Sequence, residues 1–201
     1  LFYRFSSNSV FQKIIMSDDG NSNDGASGDL TYGVKIPNIG NITQYYIYAE
    51  NDSSGLFSPE RAAYEFYEFT IPITSGQIVI NELLAVNNNI VQNEFGEFED
   101  WIELYNSTNT TIYSGDLYLS DDTNDLYKWA LPNIAIPSND YLILWADKNN
   151  ELGIFHMNFK LSSDGEKLTL CNGIGQIIDS ISFPHQSSDI AYARDPNGIG
   201  P

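Results

Sequence analysis

The spacing of apolar segments constrains the fold of this chain more than any other feature. Short runs rich in Tyr, Ile, Phe, Val and Leu are separated by Asn, Asp, Ser, Gly and Pro at intervals of roughly 8–12 residues, as in β-sandwiches. Helical periodicity is almost absent. In Gln44–Ala49, for example, Tyr45 and Ile47 point to one face and Tyr46 and Tyr48 to the other. The pattern predicts an all-β fold.

Two domains are expected in the 201 residues. A boundary is indicated between residues 70 and 77, because Pro72 cannot donate to a strand ladder and Ser75-Gly76 is a turn signal. The sequence therefore predicts one domain over residues 1–75 and a second over residues 76–201.

The net charge of the chain limits the classes of partner that it can bind. The net charge is −18, and hydrophobic residues make up 42% of the sequence, which is enough for packed cores. So acidic a surface repels nucleic-acid phosphates and anionic membranes. No apolar run is long enough to span a bilayer. We expect no nucleic-acid binding and no transmembrane segment.

The single cysteine, Cys171, excludes an intrachain disulfide framework and lies in a strand pattern that predicts a small buried side chain. No signal peptide is visible, and the chain starts without Met in what looks like the middle of a strand. We expect it to be part of a longer protein.

Six segments, in order, carry a family resemblance: Ile78–Ala85, Asp100–Asn106, Tyr118–Asp122, Tyr141–Asp147, Phe159–Leu170 and Ile177–Ile181. This set resembles the bacterial branch of the lamin tail domain family, from about residue 77 to residue 200. The resemblance implies an immunoglobulin-like β-sandwich and no reaction. Bacterial relatives resemble accessory modules of secreted or surface proteins, often beside enzymes.

Residues 1–75 resemble the later part of a fibronectin type III-like module. The pattern Tyr45-x-Ile47-x-Ala49-x-Asn51 followed by Gly55 matches the penultimate strand and turn of that fold, and Ala63–Thr70 would be its last strand. The expected architecture is thus two immunoglobulin-like β-sandwich domains, of which the first is incomplete.

A loop rich in oxygen ligands is a candidate Ca²⁺ site. The pattern Asp19-x-Asn21-x-Asn23 has the alternate spacing of a calcium loop, although Asp24 stands where Gly is required and Leu30 where a bidentate Glu is required. The alternative is a solvated turn-rich hairpin loop. The candidate metal ligands are Asp18, Asp19, Asn21, Asn23, Asp24 and Asp29.

A second acidic run precedes and enters a predicted strand, and its members are Glu94, Glu97, Glu99, Asp100 and Glu103. Alternation would place Glu97, Glu99 and Glu103 on one strand face with Trp101. Paired carboxylates serve glycoside hydrolysis, but a charged solvent face on a hairpin that approaches the Asp100–Asn106 strand is the stronger interpretation. We expect no catalysis here. His156 and His185 lack nearby partners for a zinc site.

Tryptophans could form a sugar-binding platform, and Trp129 is predicted to be exposed and to bind ligand. Trp145, in contrast, lies in the segment Tyr141–Ala146, which is apolar on both faces. That segment predicts a central strand with Trp145 packed between the sheets.

From these patterns we expect a non-catalytic accessory or interaction module of a larger exported bacterial protein, extracellular, periplasmic or on the cell surface. It would contact a protein or a polysaccharide and need no cofactor, Ca²⁺ excepted. The alternative is a carbohydrate- or Ca²⁺-dependent adhesion module appended to an enzyme.

Overall fold

A computed structural model describes residues 1–5, 9–36 and 42–200 of the protein. The predicted all-β class is confirmed, since the described residues form fifteen strands and no α-helix. None of this part of the chain forms a helix capable of crossing a membrane. Two compact units divide the chain, an N-terminal unit (Leu1–Ile71) and a C-terminal unit (Pro72–Pro201).

The N-terminal unit has a single five-stranded antiparallel sheet among its described residues. The order is β2-β1-β3-β4, and β5 pairs with the first half of β3. Few of its apolar side chains are buried, among them Tyr3, Phe5 and Ala62. The strands are β1 (Phe2–Arg4), β2 (Gln12–Lys13), β3 (Ile42–Glu50), β4 (Gly55–Ser58) and β5 (Tyr67–Thr70).

The predicted last strand of this unit, Ala63–Thr70, is too long. Only its second half is a strand, because the backbone amides of Tyr64 and Glu65 both donate to the carbonyl of Arg61 and close a helical turn. The described residues of the unit also lack a second sheet, so the predicted sandwich is present here as one layer.

The C-terminal unit contains two four-stranded antiparallel sheets and a two-stranded ribbon. One sheet has the order β12-β7-β6-β15, the other has the order β10-β9-β13-β14, and β11 pairs with β8. The strands are β6 (Ile78–Leu84), β7 (Trp101–Asn106), β8 (Ile112–Tyr113), β9 (Leu117–Ser120), β10 (Trp129–Ala130), β11 (Ala135–Ile136), β12 (Tyr141–Trp145), β13 (Glu166–Asn172), β14 (Ile177–Phe183) and β15 (Tyr192–Ala193).

Strand alternation builds the core of this sandwich. Leu83, Ile102 and Leu144 lie opposite one another on three adjacent strands, and all three are fully buried. They pack in one cluster with Leu168 and Leu170 of the other sheet. Period-two alternation therefore supplies a continuous apolar layer between the two sheets.

The neighbouring register row lies on the outer face of the same sheet. Leu84, Trp101 and Trp145 form a separate buried cluster there. The prediction that Trp145 is buried is confirmed, but its predicted position between the sheets is wrong. The strand is also not central: β12 is an edge strand, where Tyr141 and Ile143 are 40% and 39% exposed.

A partly buried ion pair ties the two sheets together at a β-bulge. The register of β6 against β7 shifts between Ile80 and Glu82. Asp179 of β14 accepts a hydrogen bond from the Ile80 amide at 2.8 Å, and Arg194 donates Nε to the Ile80 carbonyl at 2.9 Å. Arg194 also contacts both carboxylate oxygens of Asp179, at 3.0 and 3.1 Å. The bulge is held by side chains where strand pairing is interrupted.

Removing Asp179 should destabilise the C-terminal unit more than neutralising it. Asp179→Ala leaves Arg194 without its carboxylate partner and the Ile80 amide without an acceptor, and leaving such a group unsatisfied costs about 1–3 kcal/mol. Asp179→Asn keeps one acceptor for that amide. Urea denaturation of both variants checks this, and an Ala variant as stable as the Asn variant would contradict it.

Candidate functional site

Two long loops leave the same end of the C-terminal sandwich. Leu84, Trp101 and Trp145 form one register row across β6, β7 and β12. The β6–β7 loop (85–100) and the β12–β13 loop (146–165) therefore both start at that end of the sheet. Loops on a rigid sandwich are where binding residues concentrate.

A third loop, β14–β15 (184–191), is bonded to the first. Asp189 accepts hydrogen bonds from the backbone amides of Asn88 at 2.6 Å and Asn89 at 3.0 Å. Its second oxygen accepts from Asn89 Nδ2 at 3.0 Å. Together the Asn89 side chain and the Asn88 amide lower the pKa of Asp189. The carboxylate is thus used to hold two loops together.

His156 joins the β12–β13 loop to the β6–β7 loop. Its side chain has no exposed surface; Nδ1 lies 2.6 Å from Asp147 Oδ2 and Nε2 lies 3.2 Å from Glu94 Oε1. Phe95 packs against the imidazole at a centroid distance of 5.8 Å. Both ring nitrogens are therefore engaged, and the imidazole acts as a clamp between two carboxylates.

The clamp favours the protonated imidazole. Burial alone lowers the pKa of His156, but the hydrogen bonds to Asp147 and Glu94 outweigh it and the net pKa is raised above its ordinary value of 6.5. The pKa of Glu94 is lowered in turn, by its own backbone amide and by His156. Charge on both sides strengthens the contact between the loops.

Two asparagines shape the interior of the β6–β7 loop. Asn87, which is 5% exposed, donates Nδ2 to the carbonyls of Val91 at 2.6 Å and Glu99 at 2.8 Å. Asn93 Oδ1 accepts from the Phe95 amide at 2.9 Å. These bonds replace strand pairing for a loop backbone that would otherwise be buried without partners.

The ordered loops present large apolar side chains to solvent. Exposures run from 37% to 62%. We call this set the apolar loop cluster: Ile90, Phe95, Phe98, Leu152, Ile154 and Ile190. Because the loops carrying these side chains are bonded to one another, the cluster is presented at one end of the domain.

The side chains of the acidic run contact different partners and do not converge on one site. Glu99 pairs with Lys160 at 3.3 Å, and Glu103 accepts from Asn81 Nδ2 at 2.8 Å. Burial raises the pKa of Asp100 to about 6, although the Asn87 amide acts in the opposite direction. The expectation that Glu97 and Glu99 share a strand face with Trp101 is wrong, because β7 begins at Trp101.

The described residues contain no group of three or more His, Cys, Asp or Glu side chains that could hold a metal ion. His185 is exposed and lies 3.6 Å from Asp164. Cys171 is buried, as predicted, and burial raises the pKa of its thiol, so less of it is present as the nucleophilic thiolate.

In the candidate calcium loop, Asp24 organises the backbone. It has no exposed surface and accepts hydrogen bonds from the amides of Asp19 at 2.7 Å, Gly20 at 3.0 Å and Ser22 at 2.8 Å. Burial raises the pKa of Asp24, but these amides reverse the effect and hold the pKa at about 2.

The other predicted ligands serve the same loop. Asp18 accepts from two backbone amides, at 2.7 and 2.8 Å, and Asp29 accepts from the amides of Ala26 and Thr31. Asn21 donates its amide to Asp19, and Asn23 adopts a left-handed conformation with φ of 55°. The carboxylates thus cap separate amides, and Ca²⁺ binding stays a prediction.

The predicted exposure of Trp129 is wrong. Trp129 is 8% exposed and packs in the main core, since β10 pairs with β9 at the edge of the second sheet and places Trp129 opposite the buried Leu119. A buried indole offers no face to a sugar. Trp129 is buried because β10 pairs with β9. A strand of two residues is too short to show an alternating pattern, so the sequence does not reveal this pairing.

The paired sheets, the shared core and the loops at one end define an immunoglobulin-like β-sandwich in the C-terminal unit. The chain matches the Lamin Tail Domain family over residues 72–185, which is more than half of its length, and it belongs to that family. The family is immunoglobulin-like and non-catalytic. No curated protein matches the chain.

Raising the pH should weaken the clamp. Because the pKa of folded His156 lies above the unfolded value of 6.5, its contribution to stability is complete below pH 6.5 and is lost as the pH rises through the folded pKa. We expect the melting temperature of the parent to fall over this range by more than that of His156→Gln. Asp100, whose pKa is raised to about 6, titrates below this pH range and does not contribute to the difference.

Thermal denaturation of both proteins above pH 6.5 measures the difference. His185→Gln is the matched control, because that imidazole is exposed. If the melting temperature changed with pH equally in the parent and in His156→Gln, the protonation of the imidazole would not be coupled to folding, and the prediction would be contradicted.

Proposed function

We propose that this chain is a non-catalytic interaction module of a larger exported bacterial protein, acting outside the cytoplasm or at the cell surface. Its C-terminal unit is the lamin tail domain, and its N-terminal unit is a fibronectin type III-like module whose described residues form one sheet. The observation that carries the proposal is the apolar loop cluster on loops fixed by buried polar side chains.

An ordered apolar surface favours binding to a protein. Side chains such as Phe95 and Ile154, at 55% and 58% exposure, remain in water although the domain has a complete core. Large exposed apolar side chains concentrated on three loops that are bonded to one another favour an interaction site there. Because the loops are already held by His156 and Asp189, little ordering entropy opposes association.

The chemistry of the charged groups supports a non-catalytic role. Asp147, Asp189 and Glu94 are engaged in holding loops, and Asp179 is engaged with Arg194. The net charge of −18 disfavours nucleic acid as a partner. The alternative of a carbohydrate- or Ca²⁺-dependent adhesion module loses support at Trp129, which is buried.

Site-specific photocrosslinking in the source bacterium tests the proposal. A benzophenone side chain at position 95 or 154 of the parent protein should yield one discrete protein adduct. The same group at position 174, where Ile174 is 73% exposed in the β13–β14 turn, should not. Purified chain should compete for the adduct, and chain carrying Phe95→Ser with Ile154→Ser should compete at least about tenfold less well.

Identical adducts from positions 95 and 174 would contradict a specific surface at the loops. So would equal competition by the parent chain and the double variant. Both side chains are exposed, but Phe95 also packs against His156. A melting curve of the double variant, and the same competition by chain carrying Ile154→Ser alone, therefore separate loss of the surface from loosening of the clamp.

A further inference from the structure

An aromatic pocket lies on the N-terminal unit. It has a volume of about 380 Å³, within the range of small-molecule sites. Tyr46 of β3 and Phe57 of β4 supply two of its walls. The turn that follows β4 supplies the rest. The aromatic pocket is lined by Tyr46, Phe57, Glu60, Arg61, Ala62, Ala63 and Tyr64.

The rings meet at an angle and leave surface free. The Tyr46 and Phe57 centroids are 6.1 Å apart with the ring planes inclined by 55°. Phe2 stacks on Tyr46 at 4.7 Å and fixes that ring. Phe57 and Tyr64 remain 46% and 79% exposed. Inclined aromatic walls around a concave space provide several π faces for a single group.

Ring faces in this unit already hold a cation. The guanidinium of Arg4 lies 4.4 Å from the centroid of Phe11 and 4.8 Å from that of Phe66. Aromatic faces attract cations through the ring quadrupole, most strongly when the cation is desolvated. The aromatic pocket offers the same kind of surface.

Charge also favours a cationic occupant. Glu60 places a carboxylate in the lining, and Arg61, the cation of the lining, contacts Glu65 at 3.0 Å. The unit as a whole has nine acids against four bases over residues 1–71. Such a surface raises the local concentration of cations and lowers that of anions.

The apolar lining selects among cations. An unsubstituted ammonium would bring three N–H donors into a pocket whose walls are mainly rings and the methyl groups of Ala62 and Ala63. Donors left unpaired on burial cost free energy. A methylated ammonium has no donors to satisfy and keeps its charge.

We propose that the aromatic pocket binds a quaternary ammonium group, of the kind found in choline and its esters. Phe57 and Tyr64 supply ring faces to the methyl groups, Tyr46 forms the inner wall, and Glu60 supplies the counter-charge. The site is independent of the apolar loop cluster, so failure of either proposal leaves the other standing.

Binding is measured by carbon-13 methyl NMR of alanine-labelled chain during titration with choline. The methyl signals of Ala62 and Ala63 should shift with saturation. The neutral carbon isostere of choline, in which a tert-butyl group replaces the trimethylammonium, should bind at least about fivefold more weakly, because it lacks the charge that aromatic faces attract.

Two variants assign the walls. Tyr64→Ala and Glu60→Gln should each weaken choline binding about threefold or more, through loss of a ring face and of the counter-charge. Tyr32→Ala is the matched control, since Tyr32 is 56% exposed on the same unit and outside the aromatic pocket. Its affinity should equal that of the parent.

Phosphocholine, titrated in parallel, distinguishes free choline from a phosphorylated headgroup as the source of the ammonium. Equal affinity for choline and its neutral isostere would overturn the proposal, as would unchanged binding by Tyr64→Ala. A neutral saccharide that shifts the Ala62 and Ala63 signals when choline does not would also overturn it and would assign the aromatic pocket to sugars.

Discussion

The C-terminal unit depends on one constraint: a buried backbone N–H or C=O group that is not paired between strands needs another hydrogen-bond partner. At the bulge of β6 the partners are Asp179 and Arg194. At the corner after β7, the fully buried Asn106 donates to the carbonyls of Thr110 and Ile136. In the β6–β7 loop the same role falls to Asn87. Polar side chains thus extend the framework beyond the strands.

This use of polar groups links the structure to its proposed function. Carboxylates and an imidazole that could serve chemistry elsewhere are here bonded to loop backbone or to one another, as in the contacts of His156 with Asp147 and Glu94. What the loops then offer to a partner is apolar surface in a fixed arrangement. The N-terminal unit differs, because the surface proposed for recognition there is a set of aromatic rings, among them Tyr46 on its single described sheet.

Local sequence patterns predicted the strands well and long-range contacts poorly. The ordered segments from Ile78 to Ile181 were sufficient for the family and for the burial of Trp145. Alternation shows which residues share a face, but not which face meets the second sheet. For this reason the sequence predicted Trp145 between the sheets, whereas it lies on the outer face. The clamp joins Glu94 to His156 across 62 residues, a pairing that no local pattern encodes. Capping loops and metal-binding loops use the same residue types, so the sequence around Asp24 does not separate the two roles.

Amide hydrogen exchange of the loops tests most directly whether they are fixed before any partner binds. The account predicts slow exchange for the amides of Asn88 and Asn89, bonded to Asp189, and of Phe95, bonded to Asn93, with protection approaching that of the flanking strands. The exposed turn at Ile174 should exchange rapidly in the same experiment. Exchange of the loop amides at the rate of an unstructured chain would contradict the account.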